Sequence, residues 1–133
     1  MSKTRRAKSQ YKPKNYFALP HYILDHPDYF NMNLAAQALL NRMGRLYNGF
    51  NNGDIAIPFS VLRDFGWRSS GTLNRAKEEL LAFEWIRLTR MGNKYGLCHL
   101  YGLTWIPLDE DKKLDLKPSE FALRDSKKVI GTW

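Results

Sequence analysis

Residues 57–105, IPFSVLRDFGWRSSGTLNRAKEELLAFEWIRLTRMGNKYGLCHLYGLTW, decide the architecture, because two helical patterns joined by a tight turn run directly into a two-stranded hairpin. The first pattern is carried by Val61, Leu62 and Phe65 and stops at Gly66. The second opens at Ser69 and Ser70 and sets Leu73, Ala76, Leu80 and Leu81 at helical spacing. These spacings predict helices over 58–65 and 69–83. Pro58 sits near the start of the first, where its missing N–H costs nothing, and Ser69 is the expected N-cap of the second. Helices joined by so few residues must cross steeply, which leaves the second one projecting a polar face outward. With Leu73, Ala76 and Leu80 toward the core, Gly71, Thr72, Asn74, Arg75, Glu78 and Glu79 fall on the other side, and Arg75 lies most nearly opposite the apolar stripe.

Beyond the second helix, Trp85 to Thr89 alternates apolar and polar residues as a strand does, RMGNKYG (90–96) supplies a turn, and Leu97 to Trp105 reads as the returning strand. Arg87, Arg90 and Lys94, with Asn93 beside them, make this a hairpin with a basic tip. Such a tip suits a phosphate backbone, and the competing view is that the cations blunt an exposed sheet edge. Cys98 is the single cysteine, so no internal disulfide can form. Its flanks, Leu97 and Leu100, predict a buried and unreactive thiol in the second strand.

Upstream, Asn33 to Tyr47 is the clearest remaining helix. Ala35, Leu39, Met43 and Leu46 form its stripe, widened by Ala36, Leu40 and Tyr47, while Gln37, Asn41 and Arg45 lie on the other side. The loop NGFNNG (48–53) offers several residues that accept positive φ, and DIAI (54–57) predicts a short first strand. A helical turn is expected from Pro20 to Asp25, with Pro27 ending it.

Charge is placed unevenly along the 133 residues. The net charge is +8, and residues 1–14 supply six of those charges through Lys3, Arg5, Arg6, Lys8, Lys12 and Lys14 with no acidic residue. Residues 1–15 are therefore expected to be a flexible basic arm, disordered by itself and drawn to polyanions, nucleic acid first among them. Residues 15–108 carry nine basic and seven acidic side chains, and 109–133 carry six of each. No run approaches the ~20 apolar residues that a membrane-spanning helix needs. The first residues also lack the apolar segment of a signal peptide, so a soluble, cytoplasmic protein is expected.

The ordered elements, together with the runs FALPHYILDHPDYFNMNLAAQALL, YNGFNNGD, GWRSSGTLNRAKEEL and LYGLTW, resemble the winged helix-turn-helix family, in particular small winged-helix proteins of phages, prophages and plasmids. The amino-terminal domains of phage and plasmid replication proteins are similar. The resemblance spans about residues 16–107. It implies an α+β fold with a three-helix core, a short strand and a two-stranded wing, in a domain over 16–108 followed by a tail over 109–133. Its reader helix corresponds to Ser69–Phe83 and its wing to Arg90–Gly96. One departure is Glu84, which stands where such proteins usually place a helix-ending glycine.

The resemblance implies double-stranded DNA as the partner. Arg can bond guanine bidentately and Asn adenine, so Thr72, Asn74 and Arg75 are the candidate base contacts. Arg68, Ser69, Ser70, Arg90, Asn93 and Lys94, with Lys3, Arg5, Arg6 and Lys8 of the arm, are the candidate phosphate contacts. Glu78 and Glu79 speak for an ordinary solvated surface helix, since carboxylates repel phosphates. They keep alive a second expectation, a winged helix that binds a host nucleic-acid-processing protein. No phosphate-binding glycine loop, nucleophile elbow or zinc-protease motif is present, and His21, His26 and His99 are scattered without metal-ligand spacing. Asp109, Glu110 and Asp111 are followed directly by Lys112 and Lys113, as in a solvated linker. No catalysis, cofactor or metal is expected. The tail keeps Leu114, Leu116, Phe121, Leu123, Val129, Ile130 and Trp133, which fits either a segment wrapped back on the domain or one that docks on a partner or a second copy.

Overall fold

A computed structural model describes residues 15–133. The basic arm proposed for residues 1–14, with Lys3, Arg5, Arg6 and Lys8, lies outside the described residues. Five helices precede a hairpin: α1 (His21–Leu24), α2 (Pro27–Phe30), α3 (Leu34–Leu46), α4 (Phe59–Leu62) and α5 (Ser70–Ala82), then strands β1 (Ile86–Arg90) and β2 (Leu100–Leu103). The architecture is α+β, with a two-stranded antiparallel sheet laid beside a helical layer.

α3 and α5 form the centre of the core because both present small or branched apolar residues at helical spacing. Ala36, Leu39, Leu40 and Met43 of α3 meet Leu73, Ala76 and Leu80 of α5, with Leu62, Ile55, Ile86 and Leu103 filling the surrounding space. α4 tightens into a 3-10 turn over Arg63–Phe65, and Gly66 then takes φ 93°. That left-handed conformation costs glycine nothing, and it reverses the chain into α5. Ser69 caps α5 as its type and position predict, its Oγ accepting from the Thr72 N–H at 3.2 Å.

At the other end of α5 the chain turns through Glu84. Glu84 adopts φ 62°, the position that glycine usually takes after a helix. Its N–H bonds to Leu81 O at 3.1 Å and the Trp85 N–H to Leu80 O at 3.0 Å, the paired bonds of a Schellman cap. The carboxylate recovers part of the strain by pairing with Arg87 and Lys128, each at 3.3 Å.

Several sequence expectations need correction. Pro27 opens α2 rather than only closing the turn before it. The His26 ring caps that helix, Nδ1 accepting the Asp28 N–H at 3.0 Å, and proline fits the first helical position. The strand expected over 54–57 is reduced to a single bridge between Ile55 and Tyr101, since the Asp54 N–H turns back to Asn51 O and Pro58 has no N–H to extend the ladder. The second strand begins at Leu100, not Leu97. The register slips between Leu88 and Arg90, and residues 91–99 leave the ladder. Cys98 is therefore exposed and outside the sheet, not buried within it.

The Asn-rich loop is a buried brace. Asn52 is withdrawn from solvent, its Oδ1 accepting the Leu103 N–H at 2.7 Å while Nδ2 donates to the carbonyls of Leu103 at 3.0 Å and Ile106 at 2.7 Å. Its backbone N–H reaches the Asp109 carboxylate at 2.7 Å, and the Asp109 N–H returns to Asn52 O at 3.0 Å. Residues 109–133 then wrap back over the domain, the first of the two arrangements their apolar residues fit.

The anchor of that wrap is Asp28, with 0% of its surface exposed. Its carboxylate accepts from Arg124 Nη2 at 2.6 Å, the Ile130 N–H at 2.7 Å, the Gly131 N–H at 2.8 Å and Trp133 Nε1 at 3.0 Å. Burial alone would raise its pKa, but these donors outweigh burial and hold the carboxyl below the ordinary 3.8. Because the folded value is depressed, the stability contributed by Asp28 is fully present above the unfolded pKa and is lost as pH falls below 3.8 through the folded value. Asp28→Asn is expected to cost about 3–5 kcal/mol by stranding the buried Arg124 charge, and to flatten the acid limb of stability measured by urea unfolding between neutral pH and pH 3. At the α5 cap, Glu84→Gly should be more stable than Glu84→Ala by about 1 kcal/mol in the same assay, since only the glycine relieves the left-handed strain.

Candidate nucleic-acid interface

The outward face of α5 follows from the burial of Leu73, Ala76 and Leu80 on its inner side. Asn74 and Arg75 are exposed and Thr72 is half-buried at the rim. Arg75 lies back along its own helix, Nη2 donating to Thr72 Oγ1 at 3.3 Å. Its Nη1 would stand 3.4 Å from a Cβ at position 71, so the guanidinium lies against the first turn of the helix. Two of the three predicted base contacts are thus already joined, and Asn74 lies one residue along on the same exposed surface. Arg68, Ser69 and Ser70 are exposed at the entry to the helix, where N–H groups and the helix dipole favour an anion. Arg68, Ser69 and Thr72 border a groove of about 400 Å³ whose other walls include Ala35, Ala38 and Trp67.

Glu79, four residues beyond Arg75 on the same flank of α5, is engaged elsewhere. Its Oε2 accepts the Asn33 N–H at 2.9 Å and its Oε1 accepts Asn33 Nδ2 at 3.0 Å, so the carboxylate is committed to the N-cap of α3. This corrects the expectation that it points to solvent beside Glu78. Of the two carboxylates that argued for a bland surface helix, only Glu78 stays exposed.

The cations of the hairpin divide by what holds them. Arg87, read from sequence as part of a basic tip, donates Nε to Ala122 O at 2.8 Å and pairs with Glu84, so it serves the wrap of residues 109–133. Arg90 is half-buried and spans the base of the loop, Nη2 donating to Cys98 O at 2.7 Å, while its Nε is buried with no partner among the described residues. Asn93 shapes the loop, its Oδ1 accepting the Tyr95 N–H at 2.8 Å and its own N–H reaching Leu97 O at 3.0 Å. Lys94 is exposed at the tip, its Nζ 5.4 Å from the Tyr95 ring centroid. Gly92 brings the two arms of the loop together, for a Cβ there would overlap Leu97 O and the backbone at Cys98 and His99.

Lys77 was not identified from the sequence as a site residue. It is half-buried on the flank of α5 that faces the hairpin, beside Gly92, Asn93 and His99. Its spacing of four from Leu73 hinted at a position bordering the apolar stripe, but only the packing of the hairpin shows what lies opposite. Among the described residues no three His, Cys, Asp or Glu side chains converge to hold a metal ion, and no helix is long and apolar enough to cross a membrane.

Replacing Glu79 by Ala removes both bonds to the start of α3 and is expected to cost about 1 kcal/mol in urea unfolding, the usual scale for a lost cap. Comparison of the chain with protein-family models, curated proteins and solved structures finds no match, so the geometry and chemistry of the site carry the functional reading.

Proposed function

We propose that the chain is a non-enzymatic winged-helix protein that binds double-stranded DNA and acts in replication or transcription control for a phage, prophage or plasmid. The observation that supports this best is the exposed N-terminal half of α5, which offers Arg68, Ser69, Ser70, Asn74 and Arg75 and no carboxylate, while Glu79 is drawn away to Asn33. In this reading α5 enters the major groove. Arg75 leaves Thr72 to reach a guanine edge, Asn74 addresses an adenine, and Arg68 with the serine hydroxyls fixes the register on phosphates. Lys94 lies along the backbone next to the groove, and the cations of residues 1–14 add affinity that is independent of sequence.

A second reading, a winged helix that binds a nucleic-acid-processing protein, is favoured by the apolar surface near the same turn. Phe65 is 52% exposed and Leu34 81% exposed, and large exposed apolar groups suit a protein interface better than a phosphate backbone.

Fluorescence anisotropy with duplex DNA across a salt series separates the two. Arg75→Ala should cost about 1–3 kcal/mol on the preferred duplex and relax the preference, whereas Lys94→Ala should weaken all duplexes alike and lower the salt slope by about one. If deleting residues 1–14 abolishes all binding, the folded domain does not read DNA and the protein-binding reading takes its place.

A further inference from the structure

Between α5 and the hairpin loop lies a groove of about 330 Å³, within the range of small-molecule sites. Ile57, Pro58 and Leu97 supply apolar walls. Its polar lining consists of groups able to donate. Lys77 is half-buried and has no acidic partner among the described residues. His99 Nδ1 accepts the Gly92 N–H at 2.7 Å, which leaves the proton on Nε2 as a donor. Asn93 spends its Oδ1 on Tyr95 and Leu97, so its Nδ2 is the end left to bond a ligand. Tyr101 is 3% exposed, and its hydroxyl has no hydrogen-bond partner among the described residues. Burial raises the pKa of that phenol, so it remains a donor. No carboxylate lines the groove.

A half-buried lysine beside exposed donors, with apolar walls and no acidic side chain, is complementary to an anionic occupant with an apolar body. We infer that this groove is a binding site for a small organic carboxylate, its anionic head held by Lys77 with His99 and Asn93 and its flat apolar body lying against Ile57, Pro58 and Leu97. A carboxylate takes charge-assisted hydrogen bonds from these donors, which a neutral molecule of the same shape cannot match. The inference does not rest on DNA binding, since occupancy is measured directly.

The test uses the full chain, followed by amide NMR during titration with benzoate and, in parallel, with benzamide, which has the same shape without the charge. Benzoate should shift the amides of Lys77, Asn93, Leu97 and His99 saturably and bind about tenfold more tightly than benzamide, the scale of one hydrogen bond to a charged group. Lys77→Gln should bring benzoate down to the benzamide level. Leu97→Glu, at an exposed wall position, should exclude benzoate while leaving core resonances in place. Equal binding of benzoate and benzamide, or shifts that miss the groove and do not respond to either variant, would overturn the assignment.

Discussion

The buried carboxylate of Asp28 is the constraint on which the rest of this structure depends. A carboxylate removed from water is tolerable only if its lone pairs are met, and here four donors meet them from a segment about a hundred residues away in sequence. The same residue holds α2 through its N–H to His26 and receives the Trp85 indole N–H on its carbonyl at 3.1 Å. The Arg124 guanidinium then lies 4.0 Å over the Trp85 ring, with the His26 ring edge-on at 5.3 Å. One acidic residue, through its backbone and its carboxylate, thereby joins α2, Trp85 beyond the end of α5 and residues 124–133. Such a pair is weak evidence for net stability, but it admits few alternatives. Slipping the segment by one residue would leave a charge buried without a partner.

Asn52 performs the neutral version of the same task on the other side of the hairpin, where its amide pins the end of β2 to the loop after α3. Together the two nodes fix both strands of the sheet against the helices. The hairpin loop over 91–99 escapes this control. It is shaped by its own contacts, Asn93 with Tyr95, Gly92 with His99 and Arg90 with Cys98, and only Met91 is tied to residues 109–133, its N–H reaching Asp115 at 2.8 Å. A rigid base with a self-contained tip suits an element that must approach a partner without disturbing the core.

The proposed DNA contacts and the proposed carboxylate groove share α5 and meet at Asn93, a candidate phosphate contact that also lines the groove. Arg75 and Asn74 look outward, while Lys77 looks toward the hairpin. An occupant of the groove would touch both the helix and the loop, so it would bear on their relative position. Any coupling between the two sites would be reciprocal, with each ligand altering the affinity of the other by the same factor.

Much of this was legible in the sequence where the deciding interactions are local. The 3.6-residue spacing along α3 and α5, the Ser69 cap and the Gly66 turn each depend on residues within a turn of one another, and all stand where their types place them. The anomaly at Glu84 was also visible, though its resolution, a left-handed cap held by Arg87 and Lys128, was not. Tertiary structure decided which charges are spent and which remain free. Arg87, Arg90 and Lys94 look alike in the hairpin sequence, yet Arg87 is claimed by Ala122, Arg90 by Cys98, and only Lys94 is left at the tip. It likewise turned Glu79 toward Asn33, buried Asp28 and Asn52, and set Lys77 against the hairpin. A polar side chain is satisfied by whatever donor or acceptor the fold brings within about 3 Å, and that neighbour, unlike a helical period, is not written in the residues beside it.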